Sequence, residues 1–153
     1  MQRLIPLNLP PAKLQLQRRG DQVYVWDHLR KKHLVLTPEE WVRQHLVHYL
    51  QNDLHYPLGA FALEGGFKLF GKSQRTDLLI YHNGSPVLIG ECKAPQVKIS
   101  QDTFDQASRY NLHYKVPYLL ISNGLETYWA KVDNELGKIH FLKEPLDFLS
   151  LLG

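Results

Sequence analysis

The chain has one cysteine, Cys92, among 153 residues. A single cysteine excludes an internal disulfide and fits a reducing cytoplasm. No apolar run approaches the ~18 residues of a membrane-spanning helix, although 44% of the residues are hydrophobic, so the apolar content is expected in a core. No charged-then-apolar leader precedes a small-residue cleavage site, and the expected compartment is the cytoplasm. Internal repeats, linkers and low-complexity segments are also lacking, which leaves a single domain on the size prior. Net charge is only +3, which permits a polyanionic partner without demanding one. Basic residues come in small groups: Arg18-Arg19, Arg30-Lys31-Lys32, and Lys68, Lys72 and Arg75. A solvated face explains each group as well as phosphate binding does. Only convergence on a site would decide between them.

What the chain does have is a regular succession of apolar segments. Residues 1–13, with Pro6, Pro10 and Pro11, read as an extended arm. Leu14 to Arg18 alternates apolar and polar, a strand pattern that returns over Val23 to Trp26 after an Arg19-Gly20-Asp21 turn. This hairpin is expected to be a small accessory sheet without site chemistry. Thr37-Pro38-Glu39-Glu40 is a helix start, with Thr37 as N-cap, and the helix is expected to reach about Gln51. Its apolar stripe is Val42, Leu46, Tyr49 and Leu50. His45 and His48, without a partner cluster, read as edge histidines rather than zinc ligands. Phe61 to Glu64 and Phe67 to Phe70 read as extended pieces, and Gly71 to Gln74 as a turn. A second helix is expected from Ser100 or Asp102 to about Tyr114. Val116 to Ile121 is a near-continuous apolar run after it, which predicts a buried strand reached by a crossover and parallel to strand 86–93. Strands over Glu126 to Val132 and Lys138 to Leu142 follow. Pro145 to Leu151 reads as a terminal helix packed through Leu146, Leu149 and Leu152. The divisions are then 1–36 for the arm and hairpin, 37–142 for the core and 143–153 for the C-terminal helix.

The organising stretch runs from Arg75 to Lys93: two apolar strands joined by His82-Asn83-Gly84-Ser85. Asp77 starts the first strand, and Glu91 and Lys93 close the second. A hard cation such as Mg²⁺ takes oxygen ligands, usually one or two carboxylates with water and substrate phosphate. Such a cation polarises a phosphoryl oxygen and lowers the pKa of bound water, and a nearby lysine stabilises the developing charge. Glu91 and Lys93, two apart, share one face of their strand. A plain two-residue Asn83-Gly84 turn would pair Asp77 with Gly90 and turn Glu91 away, because a shift of one residue flips the face. A shared site therefore predicts a three- or five-residue loop or a β-bulge. Otherwise these are solvated charges at strand ends. The alternation sends the Cys92 side chain into the opposite layer as core. Gln106 and Tyr110 are neighbours on one helix face. They fit either an ordinary amphipathic face or a pair that orients Lys93 and contacts the site.

Asp77, the gap that follows, and Glu91-Cys92-Lys93 resemble the PD-(D/E)xK nuclease motif, with Thr76 in place of its proline. Within that superfamily the chain is similar to the nuclease domain at the N-terminus of type I restriction enzyme R subunits. Thr37-Pro38-Glu39-Glu40-Trp41-Val42-Arg43-Gln44, Gln106-x-x-x-Tyr110 and Ser122-Asn123-Gly124 carry the resemblance further, over roughly Val23 to Trp129. It implies a restriction-endonuclease-like α/β fold, a mixed central sheet flanked by helices, and metal-dependent cleavage of DNA. Asp77 and Glu91 would hold Mg²⁺ or Mn²⁺, with the Cys92 backbone carbonyl as a further ligand. Lys93 would be the charge-stabilising group, supported by Gln106 and Tyr110. An acidic residue on the first core helix reaches the site in related nucleases, and Glu40 is the matching position. Glu40 also reads simply as the reciprocal half of a capping box. DNA and other restriction-system subunits would be the partners, with no membrane. The alternative is a nucleic-acid-binding or assembly module without cleavage activity. R subunits also carry an ATP-driven motor, for which 153 residues leave no room.

Gly66-Phe67-Lys68-Leu69-Phe70-Gly71-Lys72-Ser73 formally satisfies the P-loop pattern. That loop works because its backbone N–H groups cradle phosphates just before a helix. Here bulky residues alternate where the compact loop should be, and a strand follows. Nucleotide binding is set aside on that ground.

Overall fold

The structure is a computed structural model, and it describes residues 4–62, 66–69 and 71–153. Leu63, Glu64, Gly65 and Phe70, expected within or beside the extended pieces, lie outside the described residues. The side chains of 66–69 and 73–75 do so too.

Three sheets, one of them a two-stranded ribbon, and two long helices form the architecture of the described residues. Strands β1 (Leu16–Arg19), β2 (Gln22–Asp27) and β3 (Lys32–Val35) make an antiparallel sheet in that order. The expected hairpin thus gains a third strand, drawn from the end of the basic Arg30-Lys31-Lys32 group. Lys31, with φ 54°, turns the chain so that Lys32 pairs with Asp27. Helix α1 (Pro38–Asn52) follows. Thr37 caps it, its hydroxyl accepting from the Glu40 N–H at 3.0 Å. Strands β4 (Gly66–Leu69) and β5 (Lys72–Arg75) pair antiparallel, so Lys72 to Gln74 lie in a strand rather than in the expected turn. The P-loop look-alike is therefore a β-ribbon around Gly71, whose φ is 77°.

The central sheet is β6 (Leu78–His82), β7 (Ser85–Cys92), β8 (Tyr118–Ser122), β9 (Thr127–Asp133) and β10 (Lys138–Leu142), ordered β10-β9-β8-β7-β6. The β7–β8 pair is parallel and the other three pairs are antiparallel. Helix α2 (Gln101–Tyr114) makes the crossover between the parallel pair. This is the expected mixed sheet with flanking helices. Alternation along each strand sorts its side chains between two cores. Leu78, Ile80, Leu88, Cys92, Leu120 and Trp129 pack with Val42, Leu46 and Leu50 of α1. Leu79, Ile89, Leu119, Ile121 and Ala130 pack with Ala107 and Tyr110 of α2.

The C-terminal helix α3 is short, Phe148–Leu151, and starts on Asp147, whose carboxylate accepts from the Ser150 N–H at 2.8 Å. Its packing residues differ from expectation. Leu151 is buried and Leu146 and Phe148 are partly so, whereas Leu149 and Leu152 are exposed. No helix among the described residues is long and apolar enough to cross a membrane.

Candidate functional site

The hairpin between β6 and β7 places the two acids. His82 pairs with Ser85 across a two-residue Asn83-Gly84 turn, with φ 50° and 76°. The pairing then slips by one between Ile80 and Tyr81, so that Val87 is the extra residue. The expected bulge is present, together with the short turn. Leu78 consequently faces Gly90, and one step further Asp77 stands across from Glu91 on the same side. Gly90 makes the approach possible: a Cβ there would lie 2.9 Å from the Leu78 Cβ.

The two carboxyl groups are electrostatically coupled, the contact with Asp77 pushing Glu91 up and the contact with Glu91 pulling Asp77 down. Asp77 Oδ2 also accepts from the Cys92 N–H at 2.7 Å. Glu91 is 3% exposed, and its Oε1 has no hydrogen-bond partner among the described residues. Burial, followed by the neighbouring Asp77 charge, pushes Glu91 up to about 9. Burial raises Asp77 as well. Two like acids in one low-dielectric site cannot both ionise, so the pair keeps a proton at neutral pH.

Lys93 continues the same side of the chain. Its Nζ donates to Gln106 Oε1 at 3.2 Å, and Gln106 Nε2 donates to the Tyr110 hydroxyl at 2.8 Å. The i, i+4 pair on α2 therefore faces the lysine. The end of β7 is fixed from the other side by the Ser122-Asn123-Gly124 turn. The Lys93 N–H donates to the Ser122 carbonyl at 2.9 Å, and Asn123 Nδ2 donates to the Val97 carbonyl at 2.9 Å. Cys92 turns its side chain into the α1 core and offers the site its backbone alone.

Glu40 is placed differently from the two acids. Its carboxylate accepts from Arg43 Nε at 2.9 Å and from Gln44 Nε2 at 2.9 Å. It does not reciprocate the cap, because the Thr37 N–H donates to the Val35 carbonyl. Arg43 in turn bridges from Glu40 to Asp27 of β2. Burial opposes the Arg43 charge, but Glu40 and Asp27 outweigh it and hold the guanidinium firmly protonated. Its field reaches Asp77 and favours the ionised carboxylate there.

The neighbour of Glu40, Glu39, is the acid on α1 that senses the pair. Burial raises it, Asp77 raises it further, and Lys93 pulls it down. Glu39 and Glu40 both line a cleft of about 490 Å³ at the N-terminus of α1, together with Thr37, Arg43, Asp77 and Gln96.

Among the described residues no group of three or more His, Cys, Asp or Glu is arranged to hold a metal ion. The donor set here is two neighbouring carboxylates, Asp77 and Glu91. That suits a hard cation whose remaining ligands are water and substrate oxygen. The fit is supported by the orphaned Glu91 Oε1 and by the raised Glu91 carboxyl, since a divalent cation would replace its proton and give that oxygen a partner.

The sequence profile described as type I restriction enzyme R protein N terminus (HSDR_N) matches residues 38–145. The chain belongs to this family. Neither the curated proteins nor the solved structures give a match. The matched span of the R-protein N-terminal family opens on the first residue of α1 and contains Asp77, Glu91, Lys93, Gln106 and Tyr110. The small sheet β1–β3, with Asp27, lies before it.

Sequence reasoning missed three members of this site. Glu39 stands beside Glu40 in the same helix start, and residue spacing alone does not fix which of two adjacent acids faces a sheet. Arg43 carried a signal, since it follows Glu39 by four residues and Glu40 by three, both ion-pair spacings on a helix. Asp27 carried none, because its partner arrives from a separate element.

Proposed function

We propose that this domain hydrolyses phosphodiester bonds in DNA as a member of the PD-(D/E)xK nucleases, acting within a type I restriction system. The observation that supports the reading is the bulged hairpin that brings Asp77 and the buried Glu91 to one side, with Lys93 held beside them by Gln106. Asp77, Glu91 and the Cys92 carbonyl would hold Mg²⁺ or Mn²⁺. The bound ion would supply Lewis-acid polarisation of the phosphoryl oxygen and a more acidic water.

The chain's own residues do the rest. Lys93 places an ammonium where negative charge builds on the phosphoryl oxygens. Gln106, braced by Tyr110, fixes the direction of that ammonium. Arg43, tied to Glu40 and Asp27, lays a positive field on Asp77 that offsets part of the upward push of burial. Other subunits of the restriction system would supply sequence reading and translocation.

A plasmid-nicking assay with Mn²⁺ tests the proposal. Wild type is expected to nick, and Asp77→Ala and Lys93→Ala are each expected to lose that activity. Equal behaviour of all three proteins would contradict it. A second reading, a nucleic-acid-binding or assembly module without cleavage, is favoured by the lack of a three-ligand metal group among the described residues. It predicts a salt-dependent gel shift without metal and no nicking under any condition.

A further inference from the structure

We propose that the outward face of the small sheet β1–β3 is a stacking platform for an unpaired DNA strand, separate from the acid pair. The choice of DNA over RNA rests on the proposed function; the platform rests on this face alone. Register fixes the face. Gln17 pairs with Tyr24, Arg19 with Gln22 and Trp26 with His33, so these six side chains share one side of the sheet. Val25 and Asp27 take the other side, where both are buried and Asp27 binds Arg43 of α1. Gln17, Arg19 and Gln22 are exposed, and Tyr24, Trp26 and His33 are half-buried.

Flat groups follow one another along this face. The Arg19 guanidinium lies over the Tyr24 ring, 4.7 Å from its centroid, and its Nη2 donates to Gln17 Oε1 at 3.0 Å. The Tyr24 hydroxyl donates to Gln22 Oε1 at 3.1 Å. A guanidinium seated on a tyrosine keeps its second face for a base, and guanidinium planes stack on unpaired bases as aromatic rings do. The Trp26 and His33 rings meet edge to face with centroids 5.0 Å apart, so neither covers the other as a stack would. Tyr24 and Trp26 are two residues apart, about 7 Å along the strand. A base in a duplex, with its neighbours at about 3.4 Å, has both faces covered. The longer step suits an extended strand whose bases have separated.

Charge selects the occupant. Residues 16–35 hold five Lys and Arg against two Asp, which equals the +3 of the whole chain, so the remainder is balanced. Neither aspartate is on this face: Asp27 takes the opposite side, and Asp21 lies in the turn between β1 and β2. Arg19 stands at one end of the aromatic strip, and Lys31 and Lys32 are exposed at the β2–β3 turn at the other. Planar side chains with cations alongside are what sequence-tolerant binding of single strands uses. The sheet precedes the matched span of 38–145, so this face belongs to the chain outside that match.

The test is fluorescence anisotropy of a short labelled oligo-dT in EDTA, beside a blunt duplex of the same length, with tryptophan emission read in parallel. Wild type is expected to bind oligo-dT several-fold more tightly than the duplex and to lose emission on binding, because a base stacks at Trp26. Arg19→Ala is expected to weaken oligo-dT binding about fivefold or more. Arg19→Lys, which keeps the charge and loses the plane, is expected to weaken it as well. Both Arg19 variants change an exposed side chain and are expected to keep the wild-type Tm. Trp26→Phe, which keeps a ring, is expected to hold affinity within about threefold and to abolish the quench. Oligo-dT bound no better than duplex, affinity unchanged in Arg19→Ala or Arg19→Lys, or a quench that persists in Trp26→Phe overturns the proposal. So does Arg19-dependent binding of oligo-rU or of anionic phospholipid vesicles with none of oligo-dT, which marks an RNA or membrane surface instead. Plasmid nicking separates the platform from the proposed function. Nicking that depends on Asp77, with oligo-dT affinity indifferent to Arg19, removes only the platform. Oligo-dT binding through Arg19 by a wild type that never nicks removes only the nuclease.

Discussion

Glu91 is the residue whose charge state decides what the acid pair does. Its carboxyl group titrates at about 9 in the fold against a usual value of 4.5. Between those values the folded state holds a proton that the unfolded chain has released. Stability is therefore full below the unfolded value and falls as pH rises toward 9. Asp77, also raised, acts in the same direction. Glu91→Gln removes the group and is expected to stabilise the fold at pH 8 by on the order of 2 kcal/mol. It is also expected to flatten the decline of Tm between pH 5 and 9, which differential scanning calorimetry across that range reads out. Gln106 holds the Lys93 ammonium and, on the proposed function, acts through it. Gln106→Ala is expected to slow nicking about tenfold or more by freeing the ammonium, with duplex affinity unchanged, as single-turnover kinetics beside anisotropy would show. At this scale the shared faces of Glu91 with Lys93 and of Gln106 with Tyr110 were legible from strand and helix periodicity, and the choice of these residues as a site came from the motif they resemble. Glu39 was not, since helix phase relative to a distant strand is a tertiary property.

The hairpin β6–β7 makes the site by a one-residue slip. Periodicity alone exposed the conflict between a two-residue turn and a shared face, and the bulge at Val87 resolves it. Gly90 belongs to the same device. Gly90→Ala places a Cβ 2.9 Å from the Leu78 Cβ, atoms close to both backbones that have little room to move. It is expected to cost about 1–3 kcal/mol in urea denaturation and to weaken metal binding by parting Asp77 from Glu91. The link between β2 and α1 is the other element-scale feature. Asp27 is 1% exposed, binds Arg43 and Arg30, and accepts from the Leu29 N–H at 2.9 Å. Asp27→Ala leaves the buried Arg43 with Glu40 as its acidic partner and is expected to destabilise the protein by about 1.5–3 kcal/mol. An exposed surface control such as Glu135→Ala should move little. The third strand of the small sheet was not legible. Lys32 to Val35 is short, begins with charge and owes its strand state to pairing with β2.

Over the whole molecule, strand alternation gives the sheet two apolar faces, with α1 on one and α2 on the other. The polar strand ends beside α1's N-terminus are left to form the site. The parallel β7–β8 pair follows from the crossover helix, and its direction was readable from the helix between two apolar runs. The short α3 was overestimated because its leucines matched a helical spacing that the chain uses for only four residues. The central claim is that Asp77 and Glu91 share a divalent cation. Calorimetric titration with Mn²⁺ at pH 7, repeated in buffers of different ionisation enthalpy, tests it most directly. Wild type is expected to bind Mn²⁺ with release of about one proton, displaced from the acid pair, and Asp77→Asn is expected to bind none. Mn²⁺ binding that survives Asp77→Asn unchanged, or a folded wild type that binds no Mn²⁺, would contradict the account.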